Sequence, residues 1–330
     1  PDTLKMLLLA RDLDPAYVGR LLYWIYRRKI KSFDEINDIP RNYLENVGKF
    51  FFTGLFGPSA SNKSTDGSIK YLFKNSAGLV YETVYLHEGK RHTVCISVQS
   101  GCRMGCRFCT TGMYGWKGNL TAGEMINQVI SIPHKITHVV FMGMGEAGDN
   151  IEEVLKACSI LTGEWGLAVG RAKVTVSTVG IIPSMVRLLS ETDCNITLSL
   201  HSPFPDERRM VIPAENRWPF REAIAILKEF RARRHRRFTV AYVMIRGIND
   251  TEKHLEELKK LFYGTQIRIN LLSYHPVSGD ADAGSDKETL MRFKHELVTS
   301  GIEATIRRSR GTDIDAACGM LAAREGNMEK

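Results

Sequence analysis

Short apolar segments alternate with amphipathic ones along most of the chain. Seven segments are apolar and short enough for buried strands, at 94–98, 138–143, 173–177, 195–200, 238–244, 266–272 and 302–306. The stretches between them have helical periodicity, at 121–132, 150–164, 182–190, 219–234, 250–262 and 286–300. The clearest helical stripe consists of Phe220, Ala223, Ile224, Leu227 and Phe230. Consecutive strand–helix units predict an α/β fold in which a parallel sheet curls into a partial (βα)6 barrel.

The first part of the chain has a different pattern. Apolar residues recur at helical spacing through residues 4–26, and Pro40 punctuates a further helical stretch. Two alternating segments, 69–74 and 79–86, flank a polar turn and predict a β-hairpin. We therefore predict three regions: an N-terminal helical accessory module over 1–60, a β-hairpin extension over 61–92, and the barrel with its C-terminal cysteine-bearing segment over 93–330.

The composition and the distribution of charge indicate which class of partner the protein could bind. The chain has 330 residues, of which 43% are hydrophobic and 25% charged, a composition typical of a folded protein without long disordered tracts. No apolar run approaches the length needed to span a bilayer, so no membrane partner is predicted. The net charge of +8 is concentrated in three clusters, Arg27, Arg28, Lys29 and Lys31; Lys228, Arg231, Arg233, Arg234, Arg236 and Arg237; and Arg307, Arg308 and Arg310. Such clusters favour a polyanion such as RNA or DNA, although a solubilising face has the same composition.

Three cysteines in the spacing Cys-x3-Cys-x2-Cys, namely Cys102, Cys106 and Cys109, indicate an iron–sulfur site. A cubane cluster has four irons, so three thiolates leave one iron open to a ligand. A zinc site or a closed electron-transfer cluster would need a fourth ligand nearby, and a disulfide framework is atypical of a chain this long. The spacing is typical of the radical S-adenosylmethionine (SAM) superfamily, which implies a 4Fe-4S cluster with SAM on its open iron.

Polar residues at the predicted strand ends are candidates for SAM contacts, because active sites of such barrels lie at the carboxyl ends of the strands. Gly145 and Glu146 end one strand, Ser177 ends the next, and Ser199, Leu200 and His201 end a third. Glycines admit a ligand close to the backbone, and carbonyl or carboxylate oxygens accept bonds from an ammonium group. An ordinary strand-to-helix turn and a packed structural histidine are the alternatives.

Four further cysteines lie outside the loop. Cys158 and Cys194 stand in apolar settings and are predicted to be inert core residues. Cys318 has small neighbours that leave its thiol accessible, and basic residues upstream favour the thiolate. Cys95 precedes the cluster loop by seven residues. By composition alone, Cys95 and Cys318 would also most often be inert.

The stretch from about Glu82 to Leu321 resembles the RlmN/Cfr family of dual-specificity ribosomal RNA adenine methyltransferases. The resemblance is carried in order by residues 82–85, 95–97 with the cluster loop, 143–146, 177–178, 199–203 and 313–319. It implies that one SAM methylates Cys318 by displacement and that a radical from a second SAM activates this methyl group for addition to adenine. It further implies that Cys95 releases the product by forming a disulfide with Cys318, and that Glu82 takes the ring proton.

The resemblance also implies partners. The substrate would be 23S ribosomal RNA, with transfer RNA as a second candidate, and a flavodoxin, ferredoxin or thioredoxin type of protein would supply electrons. An oxygen-sensitive cluster and a disulfide that must be reset suit the cytoplasm. We expect a monomer.

The sequence departs from the family pattern at three positions, 275, 147 and 320, and the first two departures leave the branch open. His275 stands where well-known members have an asparagine that contacts SAM, and it remains a candidate contact because imidazole also forms hydrogen bonds. Ala147 replaces a proline usual in the carbon-2 (RlmN) branch and resembles the carbon-8 (Cfr, antibiotic resistance) branch, and Met320 replaces a common glutamine. Methylation of adenine carbon 2 is the favoured interpretation, with carbon 8 as its alternative. A radical SAM enzyme that modifies a peptide or metabolite and a non-catalytic iron–sulfur RNA-binding protein are alternatives of other classes.

Overall fold

The computed structural model describes residues 1–230, 236–276 and 282–322. Its N-terminal part contains three helices, α1 (Asp2–Leu9), α2 (Val18–Tyr23) and α3 (Arg41–Gly48). These helices bury a small core of their own, which includes Leu8, Leu21, Ile30, Leu44 and Val47. The helical periodicity read from residues 4–26 therefore corresponds to real helices, although turns interrupt them.

Four antiparallel strands follow: β1 (Ala60–Lys63), β2 (Ile69–Lys74), β3 (Val80–Glu88) and β4 (Arg91–Ile96). Strands β2 and β3 form the predicted hairpin. Apolar periodicity does not predict β1, because its sequence Ala-Ser-Asn-Lys has little β-propensity and only its pairing with β2 makes it a strand.

The rest of the described chain alternates strands with helices. After the short pieces β5 (Gln99–Ser100), α4 (Thr110–Tyr114) and β6 (Gly118–Asn119), the strands are β7 (His138–Phe141), β8 (Val174–Thr178), β9 (Asn195–Ser199), β10 (Phe238–Met244), β11 (Ile267–Ser273) and β12 (Ala304–Arg307). The helices are α5 (Ala122–Ile130), α6 (Ile151–Thr162), α7 (Ile182–Glu191), α8 (Pro205–Val211), α9 (Phe220–Glu229), α10 (Glu252–Phe262) and α11 (Lys287–Thr299).

All of the main strands belong to one sheet, in the order β1-β2-β3-β4-β7-β8-β9-β10-β11-β12. Strands β4 and β7 to β12 run parallel to one another, so the described chain has six crossovers between seven parallel strands. The predicted partial (βα)6 barrel is confirmed. The hairpin strands extend the same sheet rather than forming a separate layer.

Burial explains why the helices pack where they do. In α9 the stripe residues Phe220, Ala223, Ile224 and Leu227 are buried against the barrel, and each large apolar side chain contributes about 1.5–3 kcal/mol. The fifth, Phe230, is 36% exposed because the helix ends at Glu229. The remainder of the predicted helix 219–234, with Arg231, Arg233 and Arg234, falls largely outside the described residues.

Two of the strands end two residues earlier than predicted. The segment 94–98 was expected to be extended throughout, but β4 ends at Ile96. The segment 138–143 was expected likewise, but β7 ends at Phe141. In both cases apolar residues continue beyond the end of the strand. There the chain leaves the sheet and forms part of the site described next.

None of the helices in the described parts of the chain is both long and apolar enough to cross a membrane.

Candidate active site

A cavity with about 1120 Å³ of empty space, its open mouth included, lies at the carboxyl ends of the parallel strands. Pockets that hold nucleoside-sized ligands have volumes of roughly 300–1,000 Å³. Ten of the predicted site residues line the cavity: Cys102, Cys106, Cys109, Gly145, Glu146, Ser177, Ser199, His201, His275 and Cys318. Leu200, Cys95 and Glu82 do not line it.

The cluster loop is folded tightly by backbone contacts. Gly101 has a φ of +77°, and a Cβ added there would lie 1.7 Å from the Gly115 carbonyl oxygen. The Cys102 N–H donates to that same oxygen at 3.3 Å, and the Cys109 N–H donates to the Cys106 carbonyl at 3.1 Å. The glycine is therefore required both for its backbone conformation and for the close approach of two chain segments.

The three thiols favour a metal cluster by their chemistry. Burial raises the pKa of Cys102 to about 12 and also raises the pKa values of Cys106 and Cys109, and the charge of Cys109 adds to the shifts of the other two. Three buried thiolates are stable together only beside a compensating cation. Within the described ranges no set of three or more His, Cys, Asp or Glu side chains is placed to hold a single metal ion. Cysteine thiolates are the usual ligands of iron–sulfur clusters, so the chemistry of the three sulfurs in the loop fits such a group.

Two glycines of this loop provide a matched test of its packing. We expect Gly101→Ala to abolish cluster binding, because the new Cβ would overlap the Gly115 backbone. Gly105→Ala should bind close to the normal amount of iron and lose about 1 kcal/mol of stability, because Gly105 also has a positive φ, +61°, but has open space around it. Iron and sulfide content after anaerobic reconstitution measures the difference. Equal iron content in the two variants would contradict the packing argument.

The end of β7 approaches the loop closely. Gly145 has a φ of +98°, and a Cβ there would lie 2.6 Å from the Gln99 Cβ. The carboxylate of Glu146 accepts hydrogen bonds from the Thr178 hydroxyl at 2.5 Å, the Val179 N–H at 3.0 Å and the Gly148 N–H at 2.8 Å. A carboxylate has about four acceptor positions. Since protein donors occupy three of them, backbone carbonyls of this stretch are the freer acceptors for a ligand ammonium group.

His201 is held in one tautomer at the end of β9. Its backbone is left-handed, with a φ of +59°, and its Nδ1 accepts the Val243 N–H at 2.9 Å. Burial, with a smaller contribution from the positive charge of Arg208, lowers the pKa of His201 to about 3. The ring is therefore neutral at physiological pH and carries its proton on Nε2, which leaves it a hydrogen-bond donor. The edge of Phe108 packs against it, with ring centroids 4.5 Å apart.

Leu200 and His275 differ in how they relate to the cavity. The Leu200 side chain is fully buried in the core, because neighbouring strand residues point to opposite faces. Its backbone groups also have protein partners, because the N–H donates to the Ala241 carbonyl and the carbonyl accepts from Arg208, so the structure does not bring Leu200 to the cavity. His275 lines the cavity, and its Nε2 is 2.6 Å from the Ser309 hydroxyl oxygen. Burial lowers the pKa of His275.

The segment that carries Cys318 packs directly on the cluster loop. The Thr110 N–H donates to the Gly319 carbonyl at 2.7 Å, and the Thr111 hydroxyl donates to the Leu321 carbonyl at 2.6 Å. Cys318 itself is exposed. Burial is the main cause that raises the pKa of Cys109, and the charge of the Cys318 thiolate adds to it. This thiol is thus within electrostatic reach of a cluster ligand.

Cys95 lies on β4 behind the cavity wall. Its thiol is buried and accepts a hydrogen bond from the Met142 N–H. Burial raises the pKa of Cys95 to about 12; the Cys318 charge raises it further, and Arg307 opposes the shift. Cys95 and Cys318, far apart along the chain, are therefore close enough for the charge of one to influence the other, and both thiols are free.

Glu82 is buried and does not line the cavity. Its side chain is only 1% exposed, its Oε1 lies 3.3 Å from the Lys70 Nζ, and its Oε2 accepts the Ala322 N–H at 3.0 Å. The C-terminal segment therefore covers this carboxylate.

One buried charged residue near the cavity was not predicted from the sequence. Arg208 on α8 is fully buried and forms an ion pair with the buried Glu215. It donates to the carbonyls of Val179, Ser199 and Leu200 at 2.7, 2.8 and 3.1 Å, so it ties the ends of β8 and β9 together below the cavity. Arginine is rarely fully buried, and nothing in its polar sequence surroundings signals that this one is.

Comparisons with known proteins agree with this geometry. Residues 96–262 match the radical SAM superfamily. Over 301 residues the chain is 42% identical to a probable dual-specificity RNA methyltransferase RlmN of Bacteroides thetaiotaomicron, covering 91% of this chain and 87% of that protein. A protein of the same description from Thermus thermophilus is 37% identical over 92% of this chain and 88% of its own length. The crystal structure of a radical SAM methyltransferase from Sphaerobacter thermophilus superposes with a TM-score of 0.90 at 36% identity, covering 97% of each chain.

These matches confirm the predicted resemblance and the predicted cofactors, a 4Fe-4S cluster and S-adenosylmethionine. They also confirm that the chain is an enzyme, a methyltransferase. The chain belongs to the radical SAM superfamily and, within it, to the RlmN family of dual-specificity RNA methyltransferases.

Proposed function

We propose that this enzyme methylates carbon 2 of an adenine in 23S ribosomal RNA, with transfer RNA as a second substrate, through a methyl group carried on Cys318. The observation that carries the proposal is the exposed Cys318 thiol in the cluster cavity. Adenine carbon 2 is electron-poor, so direct displacement on SAM is a poor route to its methylation. When bound, the cluster supplies SAM with the electron that generates a hydrogen-abstracting radical.

The two thiols have environments suited to different tasks. A thiolate is the nucleophile in displacement, so an exposed thiol is a better methyl acceptor than one whose pKa is raised by burial. Cys318 is exposed, whereas burial raises the pKa of Cys95 to about 12. In this proposal Cys318 accepts the methyl group, and Cys95 stays protonated until the adduct with adenine has formed. Cys95 then loses its proton and attacks the Cys318 sulfur: the S–S bond forms as the bond from that sulfur to the transferred carbon breaks, and the carbon keeps the electron pair and takes up a proton to become the methyl group.

Glu82 is proposed as the base that takes the ring proton. Its carboxylate is held by Lys70 and by the Ala322 N–H, so this role requires the end of the C-terminal segment to leave Glu82. His201 would donate through Nε2 to SAM. Ser177, Ser199 and the carbonyls near Gly145 would orient the same cofactor.

The partners follow from the same chemistry. A disulfide between Cys95 and Cys318 must be reduced after each turnover, which suits a thioredoxin type of partner, and the cluster needs a one-electron donor of the flavodoxin or ferredoxin type. A reducing cytoplasm and a monomeric state complete the proposal. Carbon-8 methylation remains the second candidate, because Ala147 stands where the carbon-2 branch usually has proline.

The proposal is tested by comparing methylated nucleosides from ribosomal and transfer RNA of cells with and without the gene. We expect 2-methyladenosine to disappear from 23S RNA when the gene is deleted. Loss of 8-methyladenosine instead would establish the second candidate. No change in either nucleoside would favour a peptide or metabolite substrate. In that case mass spectrometry of the purified protein would find no methyl group on Cys318.

A further inference from the structure

A second cavity opens at the opposite end of the barrel, near the amino-terminal ends of the parallel strands. It has about 1390 Å³ of empty space, open solvent included. Six arginines line it: Arg91, Arg237, Arg268, Arg307, Arg308 and Arg310. We call these six residues the arginine basin. Among the residues that line this cavity, Glu88 is the single carboxylate.

The positive charge of the basin is largely uncompensated. Arg268 pairs with Glu303, and Arg310 lies 3.7 Å from Glu88. In the parts of the chain that the structure describes, neither Arg237 nor Arg308 forms an ion pair. A concave surface with one sign of charge and low-dielectric walls concentrates the electrostatic potential and attracts a polyanion.

Electrostatic repulsion within the basin shows that its charges are close together. Burial, and then the like charges of Arg307 and Arg237, lower the pKa of Arg91, and only Glu88 opposes the shift. The Nε of Arg268 is buried and has no hydrogen-bond partner within the described residues. Phosphate groups would supply the missing negative charge and would accept hydrogen bonds from the exposed guanidinium groups.

The basin and the cluster cavity meet inside the barrel. Four residues, Met142, Thr197, Asn270 and Arg307, line both cavities. Arg307 lies at the junction, with its guanidinium 3.3 Å from the Met142 sulfur, and it also influences Cys95. A ligand bound in the basin therefore lies one layer of side chains from the reactive wall of the site.

The cluster loop borders the opposite side of the cluster cavity, and the segment from Cys318 to Ala322 packs on it through Thr110 and Thr111. A cluster and its SAM would occupy that side. This arrangement favours approach of the RNA from the amino-terminal ends of the strands.

The other basic clusters are less suited to this role. Arg27 donates to the carbonyls of Glu164 and Leu167, so it joins the helical module to the barrel. Arg236 is buried and donates to the carbonyls of Leu188 and Leu189. Both arginines are structural, although the sequence suggested a charged surface.

We infer that the arginine basin binds the phosphate groups that flank the target nucleotide, so that the RNA enters from the amino-terminal ends of the strands and its base reaches Cys318 through the barrel. This inference rests on the proposed function and adds to it the side of the enzyme that the RNA contacts. Phosphate contacts of this kind position the substrate without reading its sequence.

The test uses the full chain, reconstituted anaerobically, and a fluorescein-labelled RNA hairpin with an adenosine in its single-stranded loop. The basin variant Arg237→Gln/Arg308→Gln is compared with Lys228→Gln/Lys287→Gln, which removes the same charge from the outer helices. We expect the basin variant to bind about 10-fold more weakly at about 0.1 M salt, with the slope of log affinity against log salt reduced by about 1.4. The control variant should stay within about 2-fold of the wild type.

Arg237→Lys/Arg308→Lys keeps the charge and should restore most of the affinity, which separates a charge effect from a folding defect. Equal weakening in the basin and control variants would overturn the inference and leave the proposed function standing, because the wild type would still bind and methylate RNA. The proposed function itself would be contradicted if the wild type did not bind the hairpin and cellular RNA contained no methylated adenine.

Discussion

Cys318→Ala should abolish adenine methylation, from normal turnover to background, while the protein keeps its fold. The side chain at 318 is exposed, so its loss should change the free energy of unfolding by less than about 0.5 kcal/mol. The cluster cysteines are unchanged, so iron content should be normal. Reductive cleavage of SAM should persist, because that reaction needs the cluster and not the methyl carrier.

The measurement combines mass spectrometry of the protein with nucleoside analysis of RNA incubated with it. The wild type should have one added methyl group on the peptide that contains Cys318, and the variant should have none. Cys158→Ala is the matched control, because that thiol is buried against Cys194 away from the cavity. It should retain both the methylated peptide and methylated RNA. Methylated adenine produced by Cys318→Ala would refute the role of this thiol as carrier.

The sequence supplied the parts of this molecule that depend on local pattern. Strands and helices of the barrel follow from apolar periodicity, since burial against one sheet imposes that periodicity directly. The cluster loop follows from three cysteines within eight residues, 102–109, because their ligand spacing is local. Polar residues at the strand ends could be chosen as candidate site residues, because parallel strands bring all their carboxyl ends to one edge of the sheet.

Features that depend on long-range pairing could not be found in this way. Strand β1 exists only because it pairs with β2. The spatial proximity of Cys95 to Cys318 was implied by a family resemblance, and no local sequence pattern indicates it. The basin is formed by arginines from several strand ends. Along the sequence these arginines fall into separate basic clusters, and Arg91 and Arg268 belong to none of them.

Arg208 is the clearest case of a residue that only the fold explains, and replacing it should have the largest effect on stability. Arg208→Met removes the partner of the buried Glu215 and three hydrogen bonds to strand-end carbonyls. A buried ion pair broken on one side typically costs about 3–5 kcal/mol, because the remaining charge has no compensation. The Arg208→Met/Glu215→Gln variant should recover part of that loss, since no unpaired buried charge remains.

The neighbouring arginine provides a matched control on the same helix. Arg209 pairs with Asp206 at the surface and has a side chain 46% exposed, so Arg209→Met should change stability by about 0.5 kcal/mol or less. Urea unfolding midpoints of the apoproteins measure all three variants. Because Arg208 fixes the carbonyls beside Ser199 and Val179, its loss should also weaken SAM binding, whereas Arg209→Met should not. Equal stability of the two single variants would show that the ion pair inside the barrel wall does not hold these strand ends in place.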